Sequence, residues 1–138
     1  MKTLYQTRAT AKGGRQGQVS TDEGNLTLQL ALPKGLGGAG GPGANPEQLF
    51  ACGYAACFDS ALQYVAQQQA LPLTGSQVAV QVGIGQLAEG GFGLTVQLSA
   101  KLEGLARDAA QQLLETAHRV CPYSNAIRGN VPVTLVLE

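Results

Sequence analysis

Tryptophan is absent from this 138-residue chain, histidine and methionine occur once each, and aromatic residues make up only 5%. Single-stranded nucleic acid is gripped by stacking on such rings, so the composition argues against that class of partner. Charge is also sparse. Nine Lys and Arg balance nine Asp and Glu, and zero net charge disfavours nucleic acid or an anionic membrane as the main partner. No run approaches the roughly 18 apolar residues of a membrane span. The opening stretch, Met1-Lys-Thr-Leu-Tyr-Gln-Thr-Arg8, turns polar at once and offers no h-region for a signal peptide. A cytoplasmic location is therefore expected, and the glycosylation triplet Asn25-Leu-Thr27 has no meaning there.

What is present suits one globular domain over residues 1–138, with hydrophobic content of 44% and 19 glycines. Three cysteines, Cys52, Cys57 and Cys121, are too few for a disulfide scaffold in a cytosolic chain. They point to catalytic, redox or buried structural thiols.

Residues 3–10 and about 17–21 read as a first hairpin, with Gly13-Gly-Arg15-Gln-Gly17 as its turn region. Residues 26–32 alternate, with Leu26, Leu28, Leu30 and Leu32 on one face, after a turn at Asp22-Glu-Gly-Asn25. The stretch from Pro33 to Ala44 contains Gly38-x-Gly40-x-x-Gly43, a literal dinucleotide fingerprint. Its context fails: the loop is too long, Pro42 sits inside it, and Gln63 stands where an acidic residue is needed. A mobile glycine-rich loop bordering a pocket is the better reading.

A long buried helix follows. Asn45 is a good N-cap, Pro46 suits the first helical position, and Gln48 completes a capping-box spacing. Leu49, Phe50, Tyr54, Phe58, Leu62 and Val65 continue the apolar character almost all round, until Pro72 stops it. Residues 77–84 and 92–102 alternate as two long antiparallel strands about Glu89-Gly-Gly91. A second amphipathic helix spans 106–120 and ends at Cys121-Pro122, a turn covers Tyr123 to Gly129, and a last strand covers 131–137. The sum is an α+β fold, an antiparallel sheet of two hairpin groups packed around two main helices.

Cys52 reads as an inert core filler. It stands five residues from Cys57, about 140° round a helix, so the two cannot pair or share a metal. A zinc site that adds His118 fails likewise, and His118 itself is expected on a polar face. Cys57 and Cys121 are different. Each lies on the apolar side of its own helix, and both helices must pack on one sheet, so the thiols can meet. Spacing alone leaves a redox pair and two inert core thiols both open. A reactive thiol needs a cation to offset burial, and Arg15 in its glycine-flanked turn is a plausible donor.

Taken in order, Gly13-Gly-Arg15-x-Gly17, Leu36-Gly-Gly-Ala-Gly-Gly, Asn45-Pro-Glu-Gln-Leu-Phe50, Gly53-Tyr-Ala-Ala-Cys57-Phe58 and Cys121-Pro-Tyr-Ser-Asn125 resemble the organic hydroperoxide resistance proteins of the OsmC-like family. The resemblance implies a cysteine-based peroxidase acting on alkyl and fatty-acid hydroperoxides in oxidative-stress defence. Cys57 would be the peroxidatic thiolate and Cys121 the thiol that resolves it to a disulfide. Arg15 would stabilise the thiolate, and Glu47 would hold Arg15. No bound metal or cofactor is implied; dihydrolipoamide or a lipoylated protein would serve as external reductant. Leu36, Phe50, Tyr54 and Phe58 could wall an alkyl-binding site. Glu47 and Cys57 are ten residues apart, about 15 Å along a straight helix, too far to share one arginine. Either the helix breaks near Gly53, or Arg15 and Glu47 serve the Cys57 of a second subunit, in keeping with the intertwined homodimer the resemblance implies. Two other classes compete. One is a non-catalytic redox-sensing or ligand-binding domain on the same scaffold; the other is a cysteine hydrolase, which would need His118 as base.

Overall fold

The computed structural model describes all residues from Met1 to Glu138. It is an α+β protein with two three-stranded sheets and three α-helices, and it divides into two compact units, Met1–Leu49 and Phe50–Glu138.

In the first unit, β1 (Ala9–Lys12), β2 (Gln18–Thr21) and β3 (Thr27–Gln29) form an antiparallel sheet. The first strand starts later than its β-like residues 3–10 suggest: residues 1–8 are exposed, and of their backbone only the Arg8 carbonyl is bonded to β2's end, by Asp22 N–H at 2.9 Å. The turn between β1 and β2 is a single 3-10 turn, Gly14–Gln16, that carries Arg15. Only glycine fits at its exit, since a Cβ on Gly17 would stand 1.8 Å from the Lys12 carbonyl oxygen. The glycine-rich stretch, expected to be mobile, is fastened along its length. Gly40 N–H bonds the Leu32 carbonyl, Ala31 N–H bonds the Ala44 carbonyl and Ala44 N–H bonds the Gln29 carbonyl, the last two closing a short parallel bridge from Leu30 to Ala44.

Helix α1 (Pro46–Gln68) is unbroken at Gly53. Asn45 caps it, its Oδ1 accepting from Gln48 N–H at 2.8 Å. The expectation of burial all round holds for one face only. Tyr54, Phe58, Ala61, Leu62, Val65 and Ala66 are buried, whereas Cys52, Ala56, Ser60 and Tyr64, four residues apart in turn, are exposed. Three of the four, Cys52, Ala56 and Ser60, are small, and Tyr64 carries a hydroxyl, so the stripe lacks the charge that marks a wet face.

The second unit builds its core on β4 (Gly75–Gln86), β5 (Phe92–Glu103) and β6 (Val133–Leu137). Val78 and Val80, Val96, Leu98, Ala100 and Leu102, and Val133, Leu135 and Leu137 point to one face with the period of two that half-buried strands require. The buried face of α1 joins this core, with Leu113, Leu114 and Ala117 of α2 (Arg107–Val120). β4 and β5 pair antiparallel, but β6 adds to β5 in parallel. A helical crossover returns the chain in its original direction, so parallel pairing follows. That crossover holds a third helix, α3 (Pro122–Ile127), where the sequence suggested a plain turn. Pro122 stops α2 and, lacking an N–H, sits without loss at the first position of α3.

The C-terminus of α1 is closed by a Schellman motif. Ala70 N–H bonds the Gln67 carbonyl, Leu71 N–H bonds the Ala66 carbonyl, and Ala70 takes φ of 51°. This is the one non-glycine residue in the left-handed region, where a Cβ is strained. Ala70→Gly is expected to raise stability by about 1 kcal/mol in chemical denaturation, net of glycine's unfolded-state entropy. An unchanged or lowered midpoint would show that the motif carries no strain.

Candidate active site

Two groups of side chains stand out, one in each unit. In the second, Cys57 lies in the middle of α1 and Cys121 at the junction of α2 and α3, and their sulfurs are 3.9 Å apart with both thiols free. The junction positions the second thiol. A residue before proline is driven to extended backbone, and Cys121, with ψ of 123°, ends one helix and caps the next. That change of direction leaves Cys121 fully buried against Cys57, which is half-buried.

Burial pushes the Cys57 thiol up, and the neighbouring Cys121 pushes it further; a hydrogen bond from the Tyr123 backbone N–H opposes both in part. Within its own unit, then, Cys57 is held as a thiol rather than a thiolate. Phe50, Tyr54 and Phe58 of α1 belong to the same packed core as the pair, with Tyr54 and Phe58 fully buried. Phe50 and Phe58 each meet the Tyr54 ring edge-on, at 6.0 and 6.3 Å, and Tyr123 packs on Phe50 and Tyr54.

In the first unit, Arg15 and Glu47 form a bidentate ion pair, with both N–H to oxygen distances 2.7 Å. Two parallel charge-assisted bonds fix the guanidinium plane. Glu47 stands in the first turn of α1, where the helix dipole favours a carboxylate. The Arg15 bond holds its carboxyl below the usual range, with burial working against it. Leu36, half-buried at the end of a 3-10 turn, also belongs to this unit.

Two expectations change. Cys52 is exposed rather than core filler, because it sits on the outer stripe of α1. His118 does not simply face solvent: it is half-buried, and its Nδ1 lies 2.8 Å from the Oγ of Ser124, which in turn lies 2.6 Å from the Tyr54 hydroxyl. Burial, and then the positive charge of Arg128, hold His118 below its ordinary value. The sequence reading missed Ser124. Its signal was Pro122 at the start of a helix, which turns Ser124 inward one turn after Cys121. No group of three or more His, Cys, Asp or Glu side chains is placed to hold a metal ion. One cavity of about 500 Å³ opens beside Gln63, Gln67, Leu71 and Ser76, and neither thiol lines it.

Comparison with known proteins places this geometry in a family. The family model described as OsmC-like protein matches residues 37–136, and the chain belongs to the OsmC-like family. Within it, the similarity is to organic hydroperoxide resistance proteins. The one from Xanthomonas axonopodis pv. citri is 51% identical over 137 residues, covering 99% of this chain and 96% of that protein. The OhrB protein of Bacillus subtilis is 43% identical, covering 98% of each. The crystal structure of an organic hydroperoxide resistance protein from Legionella pneumophila superposes with a TM-score of 0.96 at 51% identity, covering 99% of both chains. No helix here is long and apolar enough to cross a membrane.

The ion pair makes a local prediction about pH. Because the folded value of Glu47 is depressed, its contribution to the Arg15 turn is fully present above the ordinary value of 4.5 and is lost as pH falls through the lower folded value. Hydrogen exchange in residues 12–17, divided by the intrinsic amide rate at each pH, should therefore quicken on acidification in the wild type. In Glu47→Gln it should be fast at neutral pH and lack this titration. Identical pH profiles would show that the pair does not hold the turn.

Proposed function

We propose that the protein is a thiol-dependent peroxidase that reduces organic hydroperoxides to alcohols and serves oxidative-stress defence. The observation that carries this reading is the pair of free thiols 3.9 Å apart, one half-exposed and one buried. That arrangement suits a nucleophile and a resolving partner. Its relatives named for organic hydroperoxide resistance and the apolar rings in the same core as Cys57 support an alkyl or fatty-acid hydroperoxide as substrate.

In this mechanism the Cys57 thiolate attacks the terminal peroxide oxygen. An S–O bond forms, the O–O bond breaks, and the alkoxide leaves and takes a proton to become the alcohol. Cys57 is left as sulfenic acid. Cys121 then attacks the Cys57 sulfur; the S–S bond forms, and hydroxide departs with the Cys121 proton as water. A dithiol of the dihydrolipoamide type, free or on a lipoylated protein, reopens the disulfide and is itself oxidised to a cyclic disulfide.

The first step needs a thiolate, while burial and Cys121 favour the thiol. A cation must offset them, and Arg15, oriented by Glu47, is the group assigned that role. A ten-residue rise of about 15 Å separates Glu47 from the Cys57 on the same helix, so the arginine is assigned to the Cys57 of a partner chain. The functional unit is then an intertwined homodimer with shared sites, and Leu36 would join Phe50, Tyr54 and Phe58 as the alkyl wall. A redox-sensing domain would use the same thiol pair; the relatives named for organic hydroperoxide resistance favour the peroxidase.

Reduced protein with cumene hydroperoxide and dihydrolipoamide should consume peroxide. Cys57→Ser should abolish turnover, and Cys121→Ser should leave a trappable sulfenic acid. Arg15→Ala should lower the first step by about a hundredfold or more, as loss of a buried charge partner does. Mixing the inactive Arg15→Ala and Cys57→Ser chains should regenerate activity, since each mixed dimer holds one intact shared site. Full turnover by Cys57→Ser would end the peroxidase reading. Silence of the mixed dimers would end the shared-site geometry alone.

A further inference from the structure

Ser124 is the only polar residue that is buried, and nothing above gives it a task. Its Oγ lies 2.6 Å from the Tyr54 hydroxyl and 2.8 Å from His118 Nδ1. One proton count satisfies all three groups. A serine hydroxyl has a single hydrogen, so Tyr54 donates to Ser124 and Ser124 donates to a neutral His118 whose proton is on Nε2. In the reverse order the Tyr54 hydrogen is left without an acceptor, at the usual cost of a buried unmade bond. Burial and Arg128 both keep His118 in the neutral form this order needs.

The three residues are placed by sequence spacing around the thiols. Tyr54 stands three residues before Cys57 on α1, His118 three before Cys121 on α2, and Ser124 three after Cys121 on α3. Residues three apart share a helix face, so the chain of two hydrogen bonds ties the Cys57 turn to both sides of the Cys121 junction. We propose that Tyr54, Ser124 and His118 are positioning residues that hold Cys121 on its line of attack toward the Cys57 sulfur. The inference rests on the reading that these two thiols form a disulfide.

The geometry explains why a brace is useful. A covalent S–S bond is about 2.0 Å long, so Cys121 must close about half of a 3.9 Å gap inside a packed core. A placement error of an ångström can cost up to about a hundredfold in rate. Apolar packing alone holds shape, but hydrogen bonds fix direction, and replacing such a buried set by apolar groups of the same shape is nearly neutral for stability.

The test uses full-length reduced protein with the exposed Cys52 changed to Ala, and methyl methanethiosulfonate as probe. The reagent transfers its methylthio group to Cys57 and releases methanesulfinate. Cys121 then attacks the Cys57 sulfur, the bond to the methylthio group breaks, and methanethiol leaves with the Cys121 proton. Quenched-flow mass spectrometry follows the mixed disulfide and its conversion to the internal one. Ser124→Ala should lengthen the life of the mixed disulfide about tenfold, and so should Tyr54→Phe, which removes one oxygen and serves if Ser124→Ala does not fold. His118→Leu should be as slow, and His118→Asn, whose amide oxygen can take the place of Nδ1, should recover most of the rate. Closure at the wild-type rate in Ser124→Ala or Tyr54→Phe would overturn the proposal, and so would a His118→Asn chain as slow as His118→Leu. Peroxide consumption measured in parallel separates the two readings. A wild type that closes its disulfide but reduces no peroxide defeats the peroxidase and leaves the brace to be judged by the probe.

Discussion

The arrangement of the second unit depends on what a proline does to the residue before it. Pro122 cannot extend α2, because it has no N–H to give and its ring forces Cys121 into extended backbone. The same ring then suits the first position of α3. One imino acid therefore ends a helix and begins another, with a buried thiol between them. Cys121 follows the buried Ala117 by four residues and so already continues the inner face of α2; the corner fixes where along that face the helix stops and the next one starts. Ser124 reaches the interior through the same corner, one turn later.

The two charged and thiol groups divide the electrostatic work. Arg15 and Glu47 satisfy each other through two bonds, so the guanidinium is held in one orientation. Preorganised charge costs no reorganisation at the moment of reaction. Cys57 is the opposite case: burial and its neighbour favour the protonated form. A thiol held in that form is slow to oxidise, since the thiolate is the reactive species.

Much of this was legible in the sequence, and the parts that were not have physical reasons. Strong alternation placed β4 and β5, and the Asn45-Pro46 signal placed the start of α1. The glycine and cysteine motifs named the candidate residues before any coordinates. Helix α3 was missed because Pro122 was read as a stop and not also as a start. The first strand was overextended because β-favouring residues before Ala9 have no partner strand in the chain. His118 was misjudged, and the bond from Tyr54 to Ser124 missed, for another reason. A hydrogen bond between residues 70 positions apart leaves no periodic trace, and only the packing of three helices reveals it.

The separation of the two thiols has a thermodynamic consequence. A disulfide between Cys57 and Cys121 would close a loop spanning 64 positions, and in the chain-entropy account such a link removes about 4 kcal/mol of freedom from the unfolded chain. By linkage the native fold favours the oxidised form by the same amount, equivalent to about 90 mV in a two-electron couple. The oxidised protein would then be the sturdier state and a weak electron acceptor. A paired dithiol that gains its own ring on oxidation is suited to reopening it, whereas a single thiol would stall at the mixed disulfide.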